Sequence, residues 1–368
     1  MKEKRRELYL VLVLAGLLFG LSAFCLLKEP DSYSYTERRV LAQFPAPTGK
    51  KLADGSFMKE FEAYSQDQFP FREGFRHLKA IAAMKIMGKA DNNGIYFLEG
   101  HLGKLDYPLK PKQVQYALER IENIYYTYLN GSQEKCYLAI IPDKNYYLGG
   151  EYGYPILDYD TLYQTMEEET PYLQHIDLRN LLSEKNFYST DTHWKQECLL
   201  PLAEALAEAM GHELLAEYEV KVAKEDFYGV YAGQAALRVK PDRISYFTNT
   251  TLEKCRVTSY DTGKAVEKSI YDKEKLMGQD PYEFFLSGAD ALIVIENPAA
   301  EGKGELIVFR DSFASSLIPL FAEEYEKITL VDIRYIDPSL LGQFIEFKDQ
   351  EVLFIYSTLL LNNSMGMK

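Results

Sequence analysis

The sequence predicts an α/β fold with a doubly wound, mostly parallel sheet, a β-rich insertion and one N-terminal transmembrane helix. Short apolar runs recur along the chain, and helical patterns separate several of them, which is typical of a parallel sheet. Each run is continuous rather than alternating, as expected of strands buried on both faces. The chain has 368 residues, of which 47% are hydrophobic, enough for one large domain.

The first predicted element is a membrane anchor. Residues 8–27 form an apolar run without a charged side chain, about the length that crosses a hydrocarbon core of roughly 30 Å. Four basic residues precede the run, which places the N-terminus in the cytoplasm and the remaining chain outside it. A cleaved signal peptide is the alternative, but Phe24 disfavours both a small-residue cleavage site and a lipoprotein motif. We therefore expect a cytoplasmic tip and anchor over 1–28 and a single-pass protein of the cell membrane.

The next segments are a stalk and a single large domain. Residues 29–50 are polar, contain proline and lack periodicity, as in a tether. Residues 51–368 should form one large extracytoplasmic domain. Within it, about 217–286 changes to short pieces rich in tyrosine, threonine and glycine, which predicts a mostly β insertion. Strands are predicted at 95–98, 136–142, 175–178, 291–295, 305–309, 328–333 and 351–356, and helices at 57–87 with a break at 69–71, at 112–130 and after Trp194.

Charge and cysteine content exclude several classes of function. The chain carries 41 basic and 55 acidic side chains, a net charge of −14, which would repel nucleic acid. Outside the anchor stand Cys136, Cys198 and Cys255, an odd number without the spacing of metal ligands. The sequence therefore predicts no nucleic-acid partner, no disulfide framework and no zinc site.

Ser312 falls where a predicted strand ends and a helix begins, inside one βαβ unit over 302–337. Such a position exposes a hydroxyl beside free backbone N–H groups and the positive end of the helix dipole. The amides of Ser312 and Phe313 could then stabilise an oxyanion. The alternative is that Asp311 or Ser312 only caps the helix.

Asp191 precedes His193 by two residues, a spacing that places both side chains on one face of extended backbone. A carboxylate that accepts from one imidazole nitrogen leaves the other free to take a serine proton. The pair could instead cap the helix that begins near Lys195, and a metal site would need further ligands nearby. From the residues alone, the pair could thus serve a serine such as Ser312 or only cap a helix.

Three further residues are candidates for substrate binding. Trp194 is either a core side chain or a platform for a sugar ring. Lys144 and Arg334 should emerge at the same carboxyl edge of the sheet as the serine and orient a substrate. The alternatives are a solvated lysine and a structural ion pair between Arg334 and Asp332.

Several separated segments together resemble the DHHW family of exported bacterial proteins, which is similar to the alginate O-acetylation proteins of the SGNH-hydrolase-like superfamily. The resemblance spans roughly residues 35–360. The segments that carry it are DQFPFRE (67–73), NNGIYFLEGHL (92–102), IPDKNYY (141–147), TDTHWKQE (190–197) and FRDSFASSLIPLF (309–321).

The resemblance implies an SGNH-like fold in which the Asp-x-His segment precedes the serine, a permuted order. It also implies a Ser312, His193, Asp191 triad and acetyl transfer onto an exopolysaccharide, with a membrane-bound O-acyltransferase as the acetyl donor. Acetyl transfer by such a triad requires no metal and no cofactor. Two positions depart from the family: Thr192 replaces the first histidine of its motif, and Arg310 replaces the glycine before Asp-Ser. Asn297, near a strand end, is the candidate for the oxyanion-hole asparagine.

The expected activity is O-acetylation of a cell-surface or secreted polysaccharide through an acyl-serine. One alternative is an acetyl-esterase that uses the same three residues with water as acceptor. Another is a non-catalytic polysaccharide-binding or assembly subunit, in which some of the 29 tyrosines line a groove.

Overall fold

The structure is a computed structural model that describes residues 2–130, 135–261 and 263–368. The chain forms two compact units, one of Met1–Asn93 with Ala232–Arg238 and one of Gly94–Tyr231 with Val239–Lys368. The strands of the described residues are β1 (Tyr33–Ser34), β2 (Arg39–Val40), β3 (Asp91–Asn92), β4 (Ile95–Leu98), β5 (His101–Lys104), β6 (Cys136–Ile141), β7 (Gln174–Asp177), β8 (Glu219–Phe227), β9 (Asp242–Thr248), β10 (Arg256–Ser259), β11 (Val266–Lys268), β12 (Leu292–Glu296), β13 (Glu305–Arg310), β14 (Lys327–Val331) and β15 (Glu351–Ser357). The α-helices are α1 (Lys2–Leu27), α2 (Gly49–Ala53), α3 (Ser56–Asp67), α4 (Arg72–Ile81), α5 (Pro111–Ile124), α6 (Lys144–Leu148), α7 (Tyr159–Glu169), α8 (Leu200–Ala209), α9 (Val230–Ala235), α10 (Ala314–Leu317) and α11 (Thr358–Leu361).

In the first unit, helix α1 contains the residues of the predicted anchor, 8–27. Within the part of the chain that the structure describes, no helix combines the length and the apolar character needed to span a bilayer. The side chains at positions 17, 18, 21, 22 and 26 of the run lie outside the described residues. The transmembrane prediction for 8–27 is therefore not supported by the structure and stays a prediction.

The segment predicted to be a stalk, 29–50, is held by α3 and the residue that follows it. The Arg39 guanidinium donates to both carboxylate oxygens of Asp67, over 2.8 and 2.5 Å. The Gln68 amide exchanges two hydrogen bonds of 2.8 Å with the backbone of Asp31. Residues 31–42 therefore differ from the free tether expected of them, because polar side chains of the DQFPFRE segment satisfy their backbone groups.

The second unit is built on one eight-stranded sheet, in the order β11-β10-β12-β14-β13-β15-β6-β7. The five strands from β14 to β7 are parallel. In contrast, β12 is antiparallel to β14, β10 is antiparallel to β12, and β11 is antiparallel to β10. The predicted α/β fold with a mostly parallel sheet is thus confirmed. Its carboxyl edge gathers the residues that follow β13, β15 and β6.

Apolar side chains cover both faces of this sheet. In β13, Leu306 and Val308 pack into one core with side chains of α8 and α10. Ile307 and Phe309 point the other way, into a core with α5 and α7. Alternate burial on two sides explains why the strand sequence is continuously apolar.

The segment predicted as an insertion, about 217–286, divides into two parts. β8 and β9 form a separate antiparallel pair. β10 and β11 instead extend the central sheet, with Val257 of β10 opposite Ile295 of β12. The sequence of a short strand at a sheet edge does not show whether the strand joins the main sheet or a separate pair.

Candidate active site

Ser312 lies in the three-residue turn between β13 and α10, at the carboxyl edge of the sheet. Asp311 closes this turn: its Oδ1 accepts from the backbone N–H of Phe313 at 3.0 Å. Its Oδ2 accepts from the backbone N–H of Ser357 at 2.9 Å and from the Ser357 hydroxyl at 2.6 Å. Asp311 therefore fixes the turn against the end of β15 and leaves the Ser312 side chain partly exposed.

Asp191, His193 and Ser312 form one hydrogen-bonded series. His193 Nδ1 donates to Asp191 Oδ1 over 2.6 Å, and His193 Nε2 lies 2.8 Å from Ser312 Oγ. The carboxylate can only accept, so the imidazole proton sits on Nδ1 and Nε2 is left to accept from the serine. The distances match those of a nucleophile, a base and an orienting acid.

Asp191 is fully buried and held from a second side. Its Oδ2 accepts from the backbone N–H of Val230 at 2.8 Å, and its Oδ1 also accepts from the N–H of His193 at 3.1 Å. A Cβ at position 229 would lie 2.3 Å from Asp191 Cβ. Gly229 is thus required for this close approach of the backbone to the carboxylate.

The loop that carries Asp191 and His193 is fixed by Asp242. Its carboxylate accepts from the backbone N–H groups of Ser189 and Thr190, over 2.8 and 2.7 Å, and from the Thr190 hydroxyl at 2.6 Å. Such local bonds hold the backbone so that the imidazole reaches the serine without movement.

Lys144 was predicted to face a substrate, and the structure corrects this. Its side chain is buried, and Nζ donates to the carbonyl oxygens of Leu102 and Tyr188, each over 2.7 Å. Those contacts join β5 to the segment that leads into the Asp191 loop. Lys144 is therefore an internal support of the loop.

The ammonium of Lys144 should make stability depend on pH. Burial lowers its pKa from 10.5 to about 7. Between these values the unfolded chain holds a proton that the folded chain lacks, so the free energy of unfolding should rise with pH. Lys144→Met removes this titration. Urea unfolding from pH 7 to pH 9.5 should show a wild-type stability that increases relative to Lys144→Met, and a constant difference would contradict the shift.

Trp194 is a core side chain rather than a sugar platform. It is fully buried, and its indole Nε1 donates to the carbonyl of Phe313 and to the Ser316 hydroxyl, both at 2.9 Å. Of the two roles that the sequence left open, the structure shows the core side chain, and the sugar platform is wrong. Trp194, which directly follows His193, connects this segment to the turn after Ser312.

Of the two predicted oxyanion amides, one is engaged. The N–H of Phe313 donates to Asp311, which corrects its predicted role. The N–H of Ser312 has no acceptor among residues 2–130, 135–261 and 263–368. It is therefore the amide that remains available to an oxyanion.

Asn297 lies at the wrong edge of the sheet. Because β12 is antiparallel to β14, Glu296 stands opposite Lys327, the first residue of β14. Asn297 therefore follows at the amino edge, whereas Ser312 is at the carboxyl edge. Its Nδ2 donates to the Ala322 carbonyl at 2.7 Å, so its predicted oxyanion role is wrong.

Arg334 follows β14, at the same edge as Ser312. Its guanidinium pairs with Asp332 through two bonds of 2.8 and 2.5 Å. The structure thus contains the ion pair that the sequence left open. The substrate-binding role of Arg334 stays a prediction.

Tyr282 is a residue of the site that the sequence did not indicate. Its ring stacks on the His193 imidazole with centroids 3.8 Å apart and planes at 7°. Its hydroxyl bonds to the Ser316 Oγ at 2.9 Å, which anchors the ring. No motif marks it, because the contact joins distant segments and the chain contains 29 tyrosines.

The arrangement can deprotonate a serine hydroxyl and return the proton to a leaving group. Within the described part of the chain, no group of three or more His, Cys, Asp or Glu side chains could hold a metal ion. The chemistry that the side chains themselves support is nucleophilic acyl transfer.

The sequence matches no protein-family model and no curated protein. Solved structures do share the fold. A DHHW family protein from Eubacterium siraeum aligns with a TM-score of 0.61 at 22% identity, covering 75% of this chain and 95% of that one. Bacillus cereus PatB1 with a sulfonyl adduct aligns with a TM-score of 0.59 at 16% identity, covering 73% and 95%.

A third solved structure is the O-acetyltransferase domain of Pseudomonas putida AlgJ, with a TM-score of 0.44 at 16% identity, covering 73% of this chain and 92% of that one. The predicted resemblance to the DHHW family is confirmed as a likeness of fold by the first two of these structures. At these identities the likeness concerns the fold, and the chemistry must be argued from the side chains.

Proposed function

We propose that the protein is an extracytoplasmic O-acetyltransferase that acts on a cell-surface or secreted polysaccharide. The observation that carries this proposal is the relay from Asp191 through His193 to Ser312, with contacts of 2.6 and 2.8 Å. The polysaccharide substrate rests on the DHHW resemblance of the sequence. The structural neighbours supply the fold on which such a site can work.

In the first step, Ser312 Oγ attacks the carbonyl carbon of an acetyl ester while His193 Nε2 takes the hydroxyl proton. The tetrahedral oxyanion is stabilised by the N–H of Ser312. Collapse breaks the bond to the leaving alcohol or thiol, which receives the proton from His193. The product is acetyl-Ser312.

In the second step, a sugar hydroxyl replaces the leaving group. His193 removes its proton as the oxygen attacks the acetyl-serine carbonyl, and then returns the proton to Ser312 Oγ. Asp191 accepts from Nδ1 throughout and stabilises the imidazolium. The acetyl group ends on the sugar, and the enzyme is regenerated without a cofactor.

The decisive experiment separates transfer from hydrolysis. The purified chain is incubated with an activated acetyl ester, with and without a polysaccharide-derived oligosaccharide. We expect an O-acetylated sugar by mass spectrometry and a faster release of the leaving group when the sugar is present. Release without any acetylated sugar would instead indicate an acetyl-esterase. If neither product forms, the remaining interpretation is a binding or assembly subunit.

We further propose that the protein is tethered to the cell membrane and receives its acetyl group from a membrane-bound O-acyltransferase. The tether is supported by the uncharged apolar run of 8–27 behind four basic residues. The partner is implied by the DHHW resemblance. Fractionation of cells should find the full chain with the membranes and accessible to protease from outside.

Removal of the Tyr282 ring should slow acyl transfer modestly. The ring face lies against the imidazole, so it stabilises the imidazolium that forms as Ser312 reacts. We expect Tyr282→Leu to lower kcat/KM by about 2- to 30-fold, the equivalent of about 0.5–2 kcal/mol. Tyr282→Phe keeps the ring and should retain most of the rate. Equal losses in both variants would assign the effect to the hydroxyl contact with Ser316.

A further inference from the structure

Large apolar side chains project outward from helix α4 and its flanking residues. These residues include the single π-helical turn that follows the helix, Ala82–Ile86. We call these exposed residues the α4 stripe. It consists of Phe71, Phe75, Leu78 and Ile86, with exposed fractions of 73%, 48%, 58% and 78%. The inward face carries the small side chain of Ala80, which is fully buried. A surface helix of a folded domain normally buries its large apolar side chains. The exposed stripe is therefore suited to contact with an external apolar phase.

Cationic side chains border the α4 stripe. Lys79 follows Leu78 of the stripe, Lys85 precedes Ile86, and both lysines are exposed. Lys79 Nζ reaches the Asn93 side chain at 2.7 Å and remains in contact with solvent. Lysines beside an apolar face are typical of helices that lie at the headgroups of a bilayer.

The stripe is continuous with the end of the apolar N-terminal run. Phe24, which lies in that run, stacks on Phe71 with ring centroids 5.8 Å apart and an interplanar angle of 20°. If 8–27 lies in a membrane, Phe71 is at the level where the chain emerges. A second copy of the chain would bring a like-charged lysine border against this one, which disfavours self-association.

We propose that the α4 stripe lies in the headgroup region of a phospholipid bilayer, with its aromatic and aliphatic side chains inserted below the phosphates. Lys79 and Lys85 then extend to the phosphate groups. This is a second membrane contact, made by the folded chain itself. It rests on the membrane tether that we propose for 8–27.

The test uses tryptophan fluorescence in the full chain reconstituted into phospholipid vesicles. Trp194, the only tryptophan, is fully buried and supplies a constant background. Phe75→Trp and Leu78→Trp place a reporter in the stripe at two independent positions. We expect the emission of the introduced tryptophan to shift to shorter wavelength in the vesicles. We expect the same emission to be quenched when the lipids carry brominated acyl chains. Tyr126→Trp, at a position that is 55% exposed, is the matched control and should keep its emission.

Each outcome bears on the proposal. Chains that do not float with the vesicles overturn both the tether and the stripe. Chains that float while both stripe reporters keep their emission overturn the stripe alone. Protection from a soluble quencher without loss to brominated lipid shows that protein covers the stripe, and it also overturns the proposal. Thermal unfolding of each variant verifies that the added tryptophan leaves the fold intact.

Discussion

Ser312→Ala should lower kcat/KM for an activated acetyl ester by about 10⁴- to 10⁶-fold. The substitution removes the oxygen that lies 2.8 Å from His193 Nε2, and no other hydroxyl is recorded within hydrogen-bond distance of that nitrogen among the described residues. Without a nucleophile, the acetyl-enzyme cannot form and the sugar receives no acetyl group. Initial rates with the ester, and mass spectrometry of the oligosaccharide, measure the two losses.

The fold should survive this change, because the Ser312 side chain is partly exposed and makes one hydrogen bond to a side chain. We expect the free energy of unfolding to change by no more than about 1 kcal/mol. Ser339→Ala is the matched control, since it removes an exposed serine hydroxyl from the start of another short helix. Acetylation that persists in purified Ser312→Ala would refute the acyl-serine mechanism.

Asp191→Asn should lower kcat/KM by about 10⁴-fold while the imidazole stays near Ser312. An asparagine amide can donate to His193 Nδ1 and favours the tautomer with the proton on Nε2. That tautomer cannot accept the serine proton. Asparagine still offers one oxygen to the Val230 N–H, which lies 2.8 Å from the native carboxylate. Steady-state kinetics with the acetyl ester provide the measurement.

Asp242→Asn is the comparison for this prediction. Asp242 also binds the loop, but through the backbone of Ser189 and Thr190 rather than the imidazole. Its asparagine variant keeps an oxygen for one of those N–H groups and should lose much less activity than Asp191→Asn. A similar loss in both variants would mean that the carboxylate of Asp191 acts only by holding the loop.

The sequence predicted the residues of the relay because each stands in a local context with chemical meaning. Ser312 follows an apolar strand and precedes a helix, and the two-residue step from Asp191 to His193 aligns their side chains. The structure brings these separate segments together through tertiary contacts, such as the bond from the Trp194 indole to the Phe313 carbonyl. Local patterns predicted the segments, while their contact depended on the tertiary fold.

The predictions that failed depended on information that a local pattern does not contain. The apolar run that forms β12 does not indicate in which direction this strand runs in the sheet. The antiparallel pairing that places Asn297 at the opposite edge could therefore not be predicted. A lysine is normally expected at the surface, yet the Lys144 side chain is buried and donates to two carbonyl groups inside the protein. Tyr282 reaches His193 only through the tertiary fold.

The sites of the relay are far apart along the polypeptide. His193 and Ser312 are separated by 119 positions, and the turn of Ser312 is held by Ser357, which is made later still. The turn of Ser312 is therefore complete only when β15 lies beside β13. On the mechanism that we propose, a chain shortened before β15 should be unable to take an acetyl group.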